Sequence, residues 1–242
     1  MELTDGVYGL PLDVSLGERE MTLNPVAVET PQGLLLLDAG LPDGVDDLSE
    51  ALDAEGLALE DTWAVVVTHQ DLDHAGCLAA VVERTDAVVF AHEADTPYLE
   101  GDKELVKSSD QRPMSIEPTT VDVQMTGGET FATAAGPMRV VYTPGHSPGH
   151  ISLYVPEAEL LISADALNVV DGALVGPRED ATPDLETAWD SVETLADLDV
   201  GQTFCFHGGT PMLGRTVSRN YWPTGSSSVR ESSWVVVSYG PR

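Results

Sequence analysis

Short apolar runs recur along the chain as far as residue 206, and turn-forming residues such as glycine, proline and aspartate separate them. Residues 63–67 are uncharged and rich in β-branched side chains, which is typical of a buried strand. The runs at 34–37 and 160–163 are likewise uncharged and mostly apolar. The whole pattern predicts strands at 3–10, 21–30, 34–37, 63–68, 87–91, 121–125, 129–132, 138–142, 151–155, 160–163 and 202–206.

Apolar residues at helical spacing occur between several of these strands. They predict a helix at 46–55, and Gly56 is a suitable residue to end it. Further helices are predicted at 75–83, at 94–99 and from 182 onwards, where Thr182-Pro183-Asp184 supplies a cap, a proline at the first position and an acidic residue.

The connecting segments carry their own signals. The Gly127-Gly128 pair predicts the turn between the strands at 121–125 and 129–132. Residues 100–118 are polar and lack periodicity, so they predict a surface excursion near the active site, of the kind that sets substrate choice. His92 either belongs to the site or caps the helix at 94–99, and capping is the favoured interpretation.

Polar residues of metal-binding type follow five of the predicted strands. Side chains at the ends of several strands, with irregular loops beyond them, are how α/β enzymes build active sites. These residues are Asp38, His69, His146, Asp165 and His207.

Four possible metal ligands fall within six positions of one loop: His69, Asp71, Asp73 and His74. Imidazole and carboxylate ligands suit zinc, and carboxylates widen the choice towards iron or manganese. Aspartates before a helix are often only caps, and a lone histidine is more often a structural residue. The density of the cluster, with further candidates downstream, favours a metal site.

The chain has 242 residues, a formal net charge of -30 and only two lysines, Lys103 and Lys107. Such a surface repels nucleic acid and anionic membranes, so we expect neither as a partner and expect a small-molecule substrate. A carboxylate-rich, lysine-poor surface resembles those of proteins from salt-loving organisms, where salt screens self-repulsion. We therefore expect the fold to loosen at low salt.

Cys77 and Cys205 fall in predicted core elements and lack the spacing of a metal-binding pair, so we expect two buried thiols rather than a disulfide. The first residues carry no basic stretch and no apolar segment typical of a secretion signal. No apolar run approaches the length that spans a membrane. These features predict a cytoplasmic protein.

Five motifs, in this order, resemble those of the metallo-β-lactamase-fold superfamily. The resemblance implies an α/β fold, a four-layer αββα sandwich with a binuclear metal site at one edge of its two sheets. The motifs are Asp38-Ala39-Gly40, the loop at 68–76, Thr143-Pro144-Gly145-His146, Ser163-Ala164-Asp165 and Phe206-His207-Gly208.

The resemblance also implies which residues bind the metal ions, which we expect to be zinc, with iron or manganese as alternatives. One ion is then held by His69, Asp71 and His146, and the other by Asp73, His74 and His207. Asp165 bridges the two ions, and Asp38 and His150 orient the ligands.

Asp71 departs from the usual loop of this family, which reads H-x-H-x-D-H. A carboxylate is anionic, shorter and harder than an imidazole, so it favours iron or manganese beside zinc and should raise the pKa of a water shared by the ions. Alternatively, Asp71 holds its ion through a water molecule, and that site is weak or empty.

The resemblance predicts hydrolysis by a metal-bound hydroxide, acting on a carboxylic ester, lactone or thioester. Asp73 and Asp165 would hold or orient the nucleophile, and Asp73 would pass its proton to the leaving group. Two alternatives stay open. One is a di-iron redox enzyme related to the flavodiiron branch, which carries a carboxylate at the position of Asp71. The other is a member of the fold that binds a metabolite without turnover.

Residues 211–242 differ from the rest in composition, with four of the 11 basic residues and a single acidic one, Glu231. The change predicts a catalytic domain at 1–210 followed by an atypical tail. The tail is either a basic arm for an acidic partner or a segment with no selected role, and the second interpretation is favoured. Its apolar stretch at 234–237 could pair as an edge strand.

Overall fold

The computed structural model describes residues 1–16 and 19–212, and these residues form two large β-sheets, two small ones and five α-helices. The sequence also predicts a turn around Gly17, between the strands at 3–10 and 21–30, and this turn lies outside the described residues. The same holds for the predicted tail beyond residue 212, including the possible strand at 234–237.

The larger sheet has seven strands and contains the buried runs at 34–37 and 63–67. Its order is β1-β2-β5-β6-β7-β8-β9, with antiparallel pairing from β1 to β6 and parallel pairing from β6 to β9. The strands are β1 (Glu2–Thr4), β2 (Val7–Gly9), β5 (Val26–Thr30), β6 (Gly33–Leu37), β7 (Thr62–Val67), β8 (Val88–His92) and β9 (Val123–Met125), while β3 (Leu12–Leu16) and β4 (Arg19–Leu23) pair as a separate hairpin.

The second sheet has five strands in the order β10-β11-β12-β13-β16. Its pairs are antiparallel except for β13 and β16, which run parallel. Its strands are β10 (Thr130–Thr133), β11 (Gly136–Tyr142), β12 (Ile151–Val155), β13 (Leu160–Ile162) and β16 (Gln202–Phe204), and a further hairpin joins β14 (Asn168–Val170) to β15 (Ala173–Val175).

The α-helices connect the strands and cover the sheets. They are α1 (Val45–Ala54), α2 (Leu72–Ala75), α3 (Leu78–Thr85), α4 (Thr96–Leu99) and α5 (Leu185–Leu195). Within the described ranges no helix is long and apolar enough to cross a membrane.

The alternation of side chains along β6 shows how the layers stack. Leu34 and Leu36 pack in one core cluster with Leu48 of α1 and Leu78 of α3. Their neighbours Leu35 and Leu37 face the other side, because side chains alternate along a strand, and there they pack against the second sheet. On the outer face of that sheet, a third cluster joins strand residues of β12 and β13 to α5. The layers are therefore helix, sheet, sheet and helix, and the predicted αββα sandwich is confirmed.

The helix predicted at 75–83 is in fact two helices, because the chain breaks at Gly76 and Cys77. The His74 carbonyl accepts a hydrogen bond from the Ala39 N–H at 2.7 Å, so it does not continue a helical ladder. A β-carbon on Gly76 would lie 2.4 Å from the Leu72 carbonyl oxygen, which leaves room there for glycine alone. The break directs α2 towards the ends of the strands.

Other predicted boundaries were also wrong. The strand predicted at 3–10 is two strands, β1 and β2, and the one predicted at 21–30 combines the end of β4 with β5. Helix α5 begins at Leu185 rather than 182, because the Asp184 side chain caps it by accepting a hydrogen bond from the Thr187 N–H at 3.1 Å. The Gly127-Gly128 pair does not close a hairpin, since β9 pairs in the first sheet and β10 in the second. Both glycines have positive φ, and they carry the chain from one sheet to the other.

Candidate metal centre

Strand direction brings the five strand-end residues together. β6 and β7 run parallel in the first sheet, and β11, β13 and β16 share one direction in the second. Their carboxyl ends lead into Asp38, the loop at 68–74, His146, Asp165 and His207, respectively. All nine residues predicted for the site lie in this one region.

Histidine and aspartate side chains form three overlapping groups in which the nitrogen and oxygen ligand atoms lie within 4.8 Å of one another. Groups of this kind can hold a divalent ion. Two of them match the predicted ligand sets, and the third joins the sets through Asp165. The groups are His69, Asp71 and His146; Asp73, His74 and His207; and His69, His74 and Asp165.

Asp165 lies at the centre of the site and contacts three histidines. Its Oδ2 is 3.2 Å from Nε2 of His146 and 3.3 Å from Nε2 of His207, and its Oδ1 is 3.4 Å from Nε2 of His74. The carboxylate therefore reaches both predicted ligand sets. Its position is that of a bridging residue, although the bridging role stays a prediction.

Asp38 holds His74 in a single ring orientation. Its carboxylate accepts hydrogen bonds from the Thr68 N–H and the Thr68 hydroxyl, both at 2.7 Å, and from Nδ1–H of His74 at 2.8 Å. Because Nδ1 carries the proton, Nε2 of His74 presents its lone pair to the centre of the site. Asp38 has a φ of 65°, a backbone conformation that aspartate tolerates better than most residues.

His150 acts on the opposite side of the site. Its Nδ1–H donates to the Thr143 carbonyl at 3.0 Å, and its Nε2 accepts from the Asp165 N–H at 3.1 Å. The ring therefore fixes the backbone of Asp165 and does not offer a free nitrogen to the centre.

Asp95 was not predicted from the sequence as a site residue. It is a buried carboxylate that joins the two ligand loops, at 68–76 and 143–150. It accepts hydrogen bonds from the Gln70 N–H at 3.0 Å and the Gln70 side chain at 3.2 Å. It also accepts from the Ser147 hydroxyl and the Gly149 N–H, both at 2.7 Å. The sequence around it, Ala94-Asp95-Thr96-Pro97, looks like an ordinary helix start, so no local signal distinguished it.

Lys107 was the second residue missed, and it reaches into the group formed by His69, Asp71 and His146. Its ammonium binds the Asp71 carboxylate and lies 2.6 Å from Nε2 of His146. It comes from the excursion predicted at 100–118, which forms neither helix nor strand in this fully described stretch. That excursion does lie beside the site, as predicted.

His92 does not join the site. Its Nδ1 accepts a hydrogen bond from the Ala94 N–H at 3.2 Å, and its ring stacks on Tyr142 with centroids 4.1 Å apart. The favoured interpretation of His92, as the cap of α4, is also wrong: Asp95 is the N-cap of α4, and His92 contacts the turn just before it.

The electrostatic balance keeps the carboxylates ionised. Burial alone would raise the pKa of Asp165, but the charges on His207, His74 and His146 outweigh it and lower that pKa well below its usual value. Asp71 behaves similarly, since His69, His146 and Lys107 overcome the effect of burial on its pKa. The site therefore offers anionic oxygens at neutral pH.

The histidines divide into two classes. Burial, assisted by the charge on His74, lowers the pKa of His69 well below its usual value. Burial acts the same way on His74, but Asp38 and Asp165 outweigh it and raise that pKa well above the usual range. For His207, Asp165 and Asp73 also outweigh burial, and its pKa rises to about 9. Protons on these rings compete with any cation, so occupation by a metal ion must release them.

The unpartnered polar atoms test whether a metal ion fits. Among the described residues, Nε2 of His69, Nε2 of His74 and Oδ1 of Asp165 are buried and have no hydrogen-bond partner. Buried polar groups are nearly always satisfied, and these three atoms belong to a single group within 4.8 Å. Two imidazole nitrogens and one carboxylate oxygen in this arrangement suit a divalent ion.

The two cysteines take no part in the site. Both are buried and free, as predicted. Burial raises the pKa of each thiol to about 12, so neither forms the thiolate that a nucleophilic cysteine requires.

Comparison with known proteins gives one family match and several relatives. The family model described as the metallo-beta-lactamase superfamily matches residues 23–207. The "Probable metallo-hydrolase YflN" of Bacillus subtilis is 28% identical, covering 88% of each chain. The hydroxyacylglutathione hydrolase of Ruegeria pomeroyi is 28% identical, covering 70% of this chain and 55% of its own.

Solved structures give the same picture of the fold. A metallo-beta-lactamase from Cronobacter sakazakii, a mutant of its HARLDQ motif, aligns with a TM-score of 0.65 at 26% identity, covering 84% of this chain and 77% of that one. A metallo-beta-lactamase family protein from Thermus thermophilus aligns with a TM-score of 0.64 at 24% identity, covering 84% of this chain and 74% of that one.

Proposed function

Because the match over residues 23–207 shows that the chain belongs to the metallo-beta-lactamase superfamily, we propose that it is a metal-dependent hydrolase of a carboxylic ester, lactone or thioester. The observation that supports it most is the convergence of His69, His74 and Asp165, whose buried ligand atoms have no partner among the described residues. The relative from Ruegeria pomeroyi supports a thioester, since its name denotes hydrolysis of an acylglutathione.

The candidate metal ligands are the residues of the three groups: His69, Asp71, Asp73, His74, His146, Asp165 and His207. We propose zinc as the ion, with iron or manganese as alternatives because of the carboxylates. When bound, such an ion acidifies a water and polarises the substrate's carbonyl oxygen.

Asp73 is the residue best placed to move a proton. Its carboxylate lies 3.2 Å from Nε2 of His207, and about a quarter of the side chain stays exposed, so it can meet a substrate. We assign to it the acceptance of a proton from the attacking water and its delivery to the leaving group. Asp165 is 7% exposed and contacts three histidines, so its part is to hold the ligand rings and orient the water.

Surface charge supports a small-molecule substrate. The net charge of -30 opposes binding of nucleic acid and of anionic membranes. The two buried, reduced thiols are compatible with the cytoplasmic location predicted from the sequence, which stays a prediction.

The redox alternative has less support. It depends on Asp71 as a ligand of iron, but in the structure the Asp71 carboxylate binds the Lys107 ammonium. Metal analysis separates the two functions, since a redox enzyme of that branch would contain two irons and show no hydrolysis.

The test compares native, chelator-treated and remetallated protein on a panel of esters, lactones and thioesters. We expect activity on at least one class to disappear with the metal and return with it, and the variant Asp73→Asn to lose most of kcat. Equal activity in the metal-free and remetallated samples would refute the proposal, and a metal-loaded protein inactive on the whole panel would favour metabolite binding without turnover.

A further inference from the structure

The Lys107 ammonium lies among ligand atoms that the superfamily resemblance assigned to the first metal ion. It binds the Asp71 carboxylate and lies 2.6 Å from Nε2 of His146, so two of the three expected ligands already have a cationic partner. Nε2 of His146 is itself 3.0 Å from Oδ2 of Asp71. An ammonium with three N–H donors satisfies such a pair well.

The position of Lys107 is built into the fold. The neighbouring Val106 N–H donates to the Gln70 side-chain oxygen at 2.8 Å, and Leu105 is buried. Gln70 is held in turn by two hydrogen bonds to the buried Asp95. The chain on the N-terminal side of Lys107 is therefore docked on the ligand loop, and the lysine and Asp71 are 20% and 13% exposed.

Asp71 and Lys107 are complementary in charge. A neutral histidine at position 71 would give an ammonium no counter-charge, whereas a carboxylate there pairs with it. Lysine is also rare in this chain, which contains two lysines among 242 residues. One of the two lies in the site.

The second ligand set is arranged differently. Nε2 of His74 and Oδ1 of Asp165 are buried without a hydrogen-bond partner among the described residues. His207 contacts Asp73 and Asp165, both of which are carboxylates. Nε2 of His69 has no hydrogen-bond partner among the described residues either, although it lies 3.4 Å from Oδ2 of Asp71, and His69 belongs to a group of each kind. Among the described residues, no lysine or arginine side chain is paired with these ligand atoms.

From this contrast we propose that the Lys107 ammonium takes the place of one of the two metal ions, so that the protein binds one divalent ion, at Asp73, His74, His207 and Asp165. An ion at the first position would have to displace an ammonium that is already paired, or remain close to it against like-charge repulsion. The lysine then supplies a fixed positive charge beside the proposed hydrolytic centre, and this consequence for catalysis rests on the proposed function.

Metal stoichiometry tests the proposal without any substrate. Metal-free full-length protein, prepared with a chelator in molar salt, is titrated with Zn²⁺ by calorimetry and loaded with Mn²⁺ for electron paramagnetic resonance. We expect one tight site per chain and an uncoupled Mn²⁺ signal. Two sites of similar affinity, a spin-coupled Mn²⁺ pair or no binding at all would overturn the proposal.

The variant Lys107→Met removes the ammonium and keeps a side chain of similar length. We expect a second Zn²⁺ to bind at least about tenfold more tightly than in the native protein, because the pair of Asp71 and His146 becomes free. The matched control is Lys103→Met, since Lys103 is the only other lysine, lies on the same segment and is exposed. A second ion that binds equally weakly to Lys107→Met would show that the lysine does not exclude it.

Circular dichroism of each variant confirms that it folds, and Lys107→Gln provides a second replacement if the methionine variant does not. The metal-stoichiometry test and the activity test of the proposed function can give opposite results. One tight site in a protein inactive on every ester, lactone and thioester would uphold this inference and refute the activity, whereas a hydrolase with two equal sites would do the reverse.

Discussion

Asp38 illustrates how a residue that touches no substrate can decide metal affinity. It accepts three hydrogen bonds, and the one from Nδ1–H of His74 leaves Nε2 of that ring aimed at the site. In Asp38→Asn an amide donor would face groups that are themselves donors, so the ring of His74 would lose its fixed orientation. We expect Zn²⁺ affinity to fall about 10–100-fold, as is usual when such partners of metal ligands are changed.

Competition with a chromogenic chelator measures this effect. Asp53→Asn makes the same chemical change on an exposed position of α1 and should leave the affinity unaltered. An equal loss in both variants would point to net charge rather than ring orientation as the cause.

The burial of His150 makes the free energy of unfolding depend on pH, and this dependence can be measured. Burial and the neighbouring His146 lower its pKa to about 3, whereas histidine in an unfolded chain titrates near 6.5. Between these values the unfolded chain binds a proton that the folded chain does not. His150 therefore destabilises the fold progressively as the pH falls below about 6.5, and has no such effect at higher pH.

The variant His150→Gln removes this proton linkage. Urea unfolding of the metal-free native protein and the variant between pH 7 and 4 should give curves that converge as the pH falls. The stability difference should change by up to about 1.4 kcal/mol per pH unit, the value for one proton. Curves that stay parallel over this range would contradict the assignment, because every other titrating group is common to both proteins.

Among the elements of the fold, the two ligand loops depend on each other through Asp95. Four hydrogen bonds from Gln70, Ser147 and Gly149 end on this one buried carboxylate. Asp95→Ala would leave several buried donors unsatisfied, so we expect the free energy of unfolding to fall by about 3 kcal/mol or more. Denaturant titration in molar salt measures the loss. Asp102→Ala, at an exposed position after α4, is the matched control, and a similar loss there would refute the role of Asp95.

Elements whose signal is local were predictable from the sequence. The apolar runs at 34–37 and 63–67 specify buried strands, and the motifs at 38–40 and 68–76 mark the ends of those strands. The hairpin of β14 and β15 had a signal that was missed, since Asp171-Gly172 between two apolar stretches is a strong turn sequence, and both residues have positive φ.

Elements whose role depends on distant partners were not predictable. Asp95 acquires its function from residues 70, 147 and 149, and nothing in its own neighbourhood indicates those contacts. Lys107 lies in an aperiodic stretch, and only the rarity of lysine set it apart. The break between α2 and α3 likewise involves a distant partner, because the His74 carbonyl accepts a hydrogen bond from the Ala39 N–H. The spacing of apolar residues within 75–83 does not indicate that contact.

At the scale of the whole molecule, we expect the net charge of -30 to make the stability of the fold, and with it the site, depend on salt. Carboxylates on a compact surface repel one another, and unfolding relieves that repulsion by spreading them apart. Salt opposes the effect because the screening length falls from about 10 Å at 0.1 M to about 3 Å at 1 M. Stability should therefore increase steeply with KCl, and the loop contacts around Asp71 and Asp95 should be lost at low salt.

Circular dichroism and denaturant midpoints measured from about 2 M down to 0.05 M KCl would follow this change, the range being chosen to move the screening length from a few ångströms to above 10 Å. We expect a cooperative loss of ordered structure at the low end. Sucrose separates screening from other causes, because it favours compact states by exclusion from the surface but carries no charge. If sucrose restored the fold in dilute buffer as fully as KCl, charge repulsion would not be the dominant force. A spectrum unchanged across the whole salt range would mean that this acidic surface is tolerated without screening.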